Sequence, residues 1–390
     1  MIVLDVIAWG LLALVAVPCL VFLGEALTGL LPPRRAPAAQ GPVPRAIVLM
    51  PAHNEAPTIG ATLDRLLPEL GGTMSLLLVA DNCSDDTAAI ARAAGATVTE
   101  RHDPARRGKG FALAHGRDVL RTDPPECVLV IDADAFMDRA GMEALAQAGA
   151  VAPVQGRNLL RDDLSAPAMV QISNLAFLTK NLVRQRGLAR LGMPAVLGGT
   201  GMALPWSLFD RARLATDDIV EDLGLGIDLL RAGHAPRYLD SAELRSGASS
   251  GAGTLTQRTR WERGFLGTAR RRALPLVGEG LRTQRLGVLW MGLHLLVPPL
   301  ALLVMVLGVV CLGDGLLWLA GTSPLPFALA VVLFVAVALV VLAVWALHGR
   351  RTLAPRTLVM LPLYLLWKAP IYLGLLRRRA SGGWTRSDRG

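Results

Sequence analysis

Residues 46–55 read AIVLMPAHNE: five apolar residues, a proline, and a polar end formed by His53, Asn54 and Glu55. A short apolar run that breaks into polar residues reads as a buried strand ending at solvent. The same transition recurs twice. Residues 76–80 run into DNCSDDT at 81–87, and residues 128–131 run into Asp132-Ala133-Asp134. Between these runs, 58–70 and 87–94 read as helices and 96–99 as a further strand. Strands alternating with helices predict an α/β domain with a mostly parallel sheet covered on both faces. Ligands in such sheets bind beyond the carboxyl ends of the strands, where these polar residues fall. Any one of the clusters can be a loop or a helix cap, as Asp85, Asp86 or Thr87 can be. Three together describe a polar pocket along one sheet edge.

The surrounding composition is not that of an ordinary soluble domain. Hydrophobic residues make up 52% of the 390 residues and charged residues 18%, below the ~25% of a typical soluble chain. This excludes a disordered protein. Four widely spaced cysteines suggest neither a disulfide framework nor a zinc site. The net charge is +9, and all basic residues but Lys109, Lys180 and Lys368 are arginine. A basic balance can serve nucleic acid, an anionic membrane or phosphorylated substrates, so the position of the arginines decides.

They flank apolar segments. Residues 2–24 carry one internal charge, Asp5, and predict a retained transmembrane helix. Between 286 and 348 the one formal charge is Asp314; a break over 313–324 predicts helices near 286–312 and 325–347, the first kinked at Pro298-Pro299. Arg34, Arg35 and Arg45, then Arg270, Arg271, Arg272, Arg282 and Arg285, then Arg350, Arg351 and Arg356 lie at the ends expected to be cytoplasmic. Residues 357–376 are apolar but interrupted by Pro362, Lys368 and Pro370, and end in Arg377, Arg378 and Arg379. They read as a helix in the interface rather than a fourth crossing. Lipid headgroups account for the arginines without nucleic acid. The organisation read from the chain is an N-terminal membrane helix and linker over 1–35, a cytoplasmic α/β domain over 36–280, and a C-terminal membrane region over 281–390.

Asp132 and Asp134 can both approach one ion if the strand has ended, and Mg²⁺ or Mn²⁺ favours such oxygens together with phosphate and water. Arg107-Gly108-Lys109-Gly110 can contact phosphate but lacks the P-loop spacing. The chain has no G-x-G-x-x-G after the first strand and no H-E-x-x-H. Gly199-Thr200-Gly201 permits close backbone approach. Glu221-Asp222 precedes a periodic run. It reads either as acids at a helix N-terminus or as a carboxylate placed to take a proton from a hydroxyl. Gln257-x-x-Arg260-Trp261 lies just before the membrane segments, where a snorkelling arginine and an interfacial tryptophan are the plainer reading.

In this order the segments at 51–55 and 81–87, D-A-D at 132–134, E-D at 221–222 and Q-x-x-R-W at 257–261 resemble the motifs of family 2 glycosyltransferases. The membrane placement resembles the branch of cellulose, hyaluronan and poly-N-acetylglucosamine synthases. The resemblance implies a GT-A fold and an inverting, metal-dependent transfer from a nucleotide-diphospho-sugar. It implies donor binding by His53, Asn54, Glu55, Asp81, Lys109, Asp132 and Arg260. Asp132 and Asp134 would hold Mg²⁺ or Mn²⁺, and Asp222 would be the catalytic base. Gly199, Thr200, Gly201, Glu221, Gln257 and Trp261 would line the acceptor side. Val220 stands where the processive synthases often have threonine, a mild departure.

The expected function is transfer from a UDP-sugar, UDP-glucose first, to a lipid-linked or otherwise membrane-held acceptor in cell-envelope glycan synthesis. The lipid bilayer and polysaccharide assembly proteins are the expected partners, and the inner membrane of a bacterium the expected place. A processive polysaccharide synthase and a lipid glucosyltransferase stay open. A transporter or scaffold fits poorly, because the polar groups lie in the soluble part and not within the spans.

Overall fold

Alternate side chains of the first strand enter two different cores. The computed structural model describes residues 1–32, 41–247 and 251–377; Arg34, Arg35, Arg378 and Arg379 lie outside them. In β1 (Ala46–Ala52), Val48 and Met50 pack on one side with Ile59, Leu63, Met142 and Leu145. Ile47 and Leu49 pack on the other with Leu113, Phe209, Leu225 and Leu229. A strand's side chains alternate between faces, so helices on both faces require the unbroken apolar run.

Seven more strands complete the sheet: β2 (Met74–Asp81), β3 (Thr97–Arg101), β4 (Cys127–Val130), β5 (Ala135–Met137), β6 (Val154–Leu160), β7 (Met202–Pro205) and β8 (Arg237–Ser246). Their spatial order is β3-β2-β1-β4-β7-β6-β8-β5. β1 pairs parallel with β2 and β4, β2 with β3, and β6 with β8. β7 runs antiparallel between β4 and β6, and β5 pairs antiparallel with β8. The result is a mostly parallel mixed sheet. The carboxyl ends of β1, β2 and β4 therefore face one edge, and carry the three polar clusters.

The chain divides into two compact units. The sheet belongs to the one built from 33–161 and 194–250. The other unites the N-terminal helix, Asp162–Met193 and Gly251–Ser381. Residues 162–193 and 251–280, within the 36–280 span expected for the soluble domain, thus pack with the apolar helices.

In that helical unit, four helices are long and apolar enough to cross a membrane: Ile2–Leu30, Leu300–Leu319, Leu325–Gly349 and Pro355–Gly374. Three were expected as spans. By length and composition the 357–376 segment also qualifies. The proline pair does more than kink. Helix Leu286–Leu296 ends with Val297 extended, and a new helix starts at Leu300. The residue before a proline is pushed out of the helical region, and proline offers no N–H. By contrast, Gly313-Asp314-Gly315 breaks nothing, since the helix continues to Leu319. A Cβ on Gly313 or Gly315 would meet Leu11 at 3.4 Å or the Phe327 ring at 3.2 Å. Close packing of neighbouring helices thus outweighs glycine's weak helix propensity. Asp5 accepts the backbone N–H of Ser323 at 2.9 Å and ties the start of the first helix to the turn after Leu319.

Glu25, fully buried in the first helix, organises the unit's interior. It accepts from Arg184 Nε at 2.7 Å and Trp290 Nε1 at 3.0 Å, and lies 2.9 Å from His294 Nδ1. The backbones of Ile2–Leu30 and of the 179–190 helical segment touch here. A Cβ on Gly29 would stand 1.8 Å from the Val183 carbonyl oxygen, and one on Gly187 1.8 Å from that of Glu25. Removing one partner of a buried ion pair strands the other charge, at a cost of about 3–5 kcal/mol. Glu25→Ala is therefore expected to lower thermal stability sharply in detergent. An unchanged unfolding midpoint would show that Arg184 needs no counter-ion.

Candidate active site

The loops after β1 and β2 are stitched together by the residues that mark them in sequence. Asn54 and Asn82 have φ of 54° and 52°, the left-handed region that asparagine tolerates. Asn54 Oδ1 accepts Ser84 N–H at 2.7 Å, and its Nδ2 donates to Ser84 Oγ at 3.1 Å. His53 Nδ1 lies 2.7 Å from the Asp81 carbonyl oxygen. Glu55 is the N-cap of helix Ala56–Leu66, its N–H donating to Thr87 Oγ1 at 2.8 Å and its carboxylate accepting from Thr58 Oγ1 at 3.0 Å. Asp85 accepts from Ala56 N and from Thr87. Burial works against its charge, but these hydrogen bonds outweigh it and hold the carboxyl below its usual range. His53 Nδ1 and the Asn54 amide thus tie the loops after β1 and β2 together.

Asp81 ends β2 opposite Arg101, its partner in the β2–β3 register. Arg101 Nη1 donates to Asp81 Oδ1 at 2.6 Å, and Asn82 Nδ2 donates to the same oxygen at 3.1 Å. Arg101 also pairs with Asp103 at 3.1 Å. Sequence reasoning missed Arg101; the available signal was a lone cation at the carboxyl end of the edge strand.

Beyond β4 the remaining groups converge. Lys109 starts helix Lys109–Leu120 after Gly108 at φ 132°. Its ammonium pairs with Asp132 and donates to the Gly199 carbonyl oxygen at 2.7 Å. Asp132 N–H donates to Thr200 Oγ1 at 3.0 Å. Gly199 and Gly201 have φ of 77° and 62°. A Cβ on Gly199 would lie 3.1 Å from Asp222 Oδ2 and 3.4 Å from Lys109 Nζ, so only glycine lets this loop pass between them. Buried Gln155 holds the loop from behind, donating to the Thr200 carbonyl at 2.9 Å and accepting Gly198 N–H at 2.8 Å. Its role was not read from sequence, because β6 reads VQGRNLL and nothing in that run marks Gln155 as the buried polar group needing partners.

Glu221 and Asp222 form the first turn of helix Glu221–Arg231, and Asp222 Oδ1 accepts Leu223 N–H at 2.8 Å. Burial, then the adjacent Asp222 charge, push Glu221 up to about 8 against the pull of Lys109. Lys109 is itself raised: burial opposes its charge, but Asp132, Glu221 and Asp222 outweigh that. At neutral pH Glu221 is mainly the neutral acid.

Lys109, Asp132, Gly199, Thr200, Gly201, Glu221 and Asp222 thus come together. Asp134 follows within the same post-β4 turn, its carbonyl accepting Gly247 N–H at 3.0 Å. Among the described residues no three His, Cys, Asp or Glu side chains form a metal-binding group. Gln257, Arg260 and Trp261 belong to the other unit, on helix Gly251–Thr283, where Trp261 stands 6.1 Å from the Phe177 ring.

The model of the family described as "Glycosyltransferase like family 2" matches residues 44–264, more than half of the chain. The chain belongs to this family. As a family 2 glycosyltransferase it shares its fold with a mannosyltransferase from Pyrobaculum calidifontis, solved with GDP-Man and Mn²⁺. The two are 18% identical, with a TM-score of 0.57 over 96% of this chain and 99% of that one. A curated relative, glucosyl-3-phosphoglycerate synthase of Mycolicibacterium paratuberculosis, is 39% identical over 93 residues, which are 22% of this chain. The match spans 27% of that relative's length. The sequence-read GT-A class and enzyme class of this glycosyltransferase agree with both its family and its sheet.

The raised Glu221 gives this transferase a pH signature. The folded chain holds a proton that the unfolded chain releases near the usual 4.5, so stability falls as pH rises from about 4.5 to 8. Denaturant titrations of metal-free protein across that window are expected to show the fall, and Glu221→Gln to flatten it. The same slope in both proteins would assign the proton elsewhere.

Proposed function

We propose that this glycosyltransferase moves a sugar from a nucleotide-diphospho-sugar, UDP-glucose first, to a lipid-linked saccharide at the membrane, with inversion at the anomeric carbon. The observation that carries this reading is the convergence of Lys109, Asp132, Gly199 and Asp222 at one sheet edge. It occurs in a chain that also bears four apolar helices of spanning length.

Asp222 takes the proton of the attacking hydroxyl. Burial raises the neighbouring Glu221 toward its protonated form, which eases the crowding of negative charge where the acceptor must lose a proton. Lys109 holds Asp132 in place and lends positive charge beside the departing diphosphate. The Gly199–Gly201 backbone, held by Gln155, forms a wall that admits a sugar closely. Arg260 contacts diphosphate and Trp261 shapes the acceptor site. The chemistry of the donor set fits Mg²⁺ or Mn²⁺: Asp132 and Asp134 are two hard carboxylates, and such ions complete their shells with phosphate oxygens and water. When bound, the ion supplies charge neutralisation to the leaving group.

A UDP-glucose donor is supported by the glucosyl product named for the mycobacterial relative; GDP-Man, bound to the archaeal neighbour, is the competing choice. Placement in the inner membrane of a bacterium, with the catalytic unit cytoplasmic, is supported by the arginine flanks. Polysaccharide assembly proteins would receive the product. A processive synthase is the second reading, and the apolar Pro355–Gly374 segment favours it by adding a fourth helix that could line a path for polymer.

Asp222→Asn is expected to leave donor affinity near wild type and to lower transfer by about 10²-fold or more. Asp134→Asn is expected to abolish metal-dependent donor turnover. Donor titration beside transfer rate separates the two, and normal transfer by Asp222→Asn with loss in Glu221→Gln would reassign the base. Sealed inside-out membrane vesicles given labelled UDP-glucose are expected to extend a lipid-linked saccharide by one sugar, whereas right-side-out vesicles give no product. A ladder of long chains would establish the synthase reading. Incorporation only from GDP-Man would overturn the donor, and product in right-side-out vesicles the orientation.

A further inference from the structure

Lys368 sits in the apolar helix Leu361–Arg377, and its side chain is 1% exposed. A buried ammonium needs a counter-ion, and Lys368 finds it on another helix. Its Nζ donates to Glu262 Oε2 at 2.8 Å, and the Tyr372 hydroxyl donates to the same oxygen at 3.1 Å. The rings of Tyr364, Trp367 and Tyr372 surround the ammonium, with centroids 5.9, 5.9 and 5.7 Å away, where cation–π attraction adds to the pairing.

Glu262 directly follows Trp261 on helix Gly251–Thr283. One turn earlier, buried Arg258 places its guanidinium carbon 4.5 Å from the Phe177 ring centroid and 5.3 Å from that of Trp261. Its Nη2 donates to Asn174 Oδ1 at 3.3 Å. The turn from Gln257 to Glu262 is thus held at both ends, by Arg258 at the start and by Lys368 at the finish.

An apolar side chain at 368 would pack in this place without desolvating a charge, and replacing buried ion pairs by apolar residues is often neutral or stabilising. What an ion pair adds is register. Apolar helix faces tolerate sliding, whereas a single buried charge can sit only opposite its partner.

We propose that Lys368 is a positioning residue for the acceptor: its ion pair with Glu262 fixes the rotation and height of the turn that presents Trp261. This rests on the acceptor role given to Trp261 above. The pair is asymmetric. Glu262 is 20% exposed and keeps the Tyr372 hydroxyl, so it survives loss of Lys368 better than Lys368 survives loss of Glu262. Lys368→Met is therefore the informative variant, Lys368→Arg its conservative rescue and Tyr372→Phe a milder weakening of the same clamp.

The test uses the full chain in lipid nanodiscs, labelled with 5-fluorotryptophan, the Trp261 resonance being assigned by Trp261→Phe. In Lys368→Met that ¹⁹F resonance is expected to split or broaden as the turn samples more than one register. Lys368→Arg is expected to restore a single line, and Tyr372→Phe to give a smaller effect. With polyprenyl-diphosphate-linked N-acetylglucosamine as acceptor probe, KM for the acceptor is expected to rise about tenfold or more in Lys368→Met. Because Arg260 lies on the same turn, UDP release from donor alone is expected to weaken as well. A single unmoved Trp261 line in Lys368→Met overturns the inference, whether or not the probe is accepted, and so does a changed line with an unchanged acceptor KM. An unchanged acceptor KM in Trp261→Phe overturns instead the acceptor role of Trp261.

Discussion

Asp132, Glu221 and Asp222 lie within electrostatic reach of one another at the carboxyl edge of the sheet, and three carboxylates there repel unless a cation or a proton intervenes. Both intervene. Lys109 bridges Asp132 and the Gly199 carbonyl, and Glu221 retains its proton. The loop geometry follows from that arrangement: Gly199 must lack a side chain to pass between Lys109 and Asp222, and Gln155 must be buried to hold the loop in that path. The cluster thus holds several carboxylates around one fixed positive point, the Lys109 ammonium.

The helical unit solves the same problem with different means. Glu25 and Lys368 are ionised side chains on apolar helices, and each is met by a partner from a polar segment. At Glu25 the backbones of two helices touch through reciprocal glycines, so side-chain volume has no room to vary. At Lys368 aromatic rings replace backbone contact and leave the ion pair to set the register.

Much of the sheet was legible because strand ends announce themselves. Apolar runs at 46–50, 76–80 and 128–131 stop where polar residues begin, and the observed strands end within two residues of those points. The proline pair was misjudged in degree: Pro298-Pro299 forces a break after Leu296, not a kink. Gly313-Asp314-Gly315 misled because glycine's local preference is weak against helix packing that sequence does not display. Glu25 stands directly after the apolar run 2–24, and its partners Arg184 and His294 lie far along the chain. Adjacent carboxylates pose a similar limit: Glu221 and Asp222 are equal in sequence, and the burial that raises Glu221 is set by the fold. Arg101 and Gln155 went unread because strand register and a loop's unsatisfied carbonyls gave them their roles.

The Glu25 cluster also has a history written in chain order. Its carboxylate is synthesised 159 residues before Arg184 and 269 residues before His294. Throughout that interval the first helix carries an acid whose native partners do not yet exist. β7, which lies between β4 and β6, likewise follows the 162–193 segment in the chain. The central strand of the sheet can therefore take its place only after the segment that supplies Arg184 has been made. Contacts of such long sequence separation are slow to form, so the nascent chain passes through a stage in which neither unit is complete and Glu25 lacks its partners.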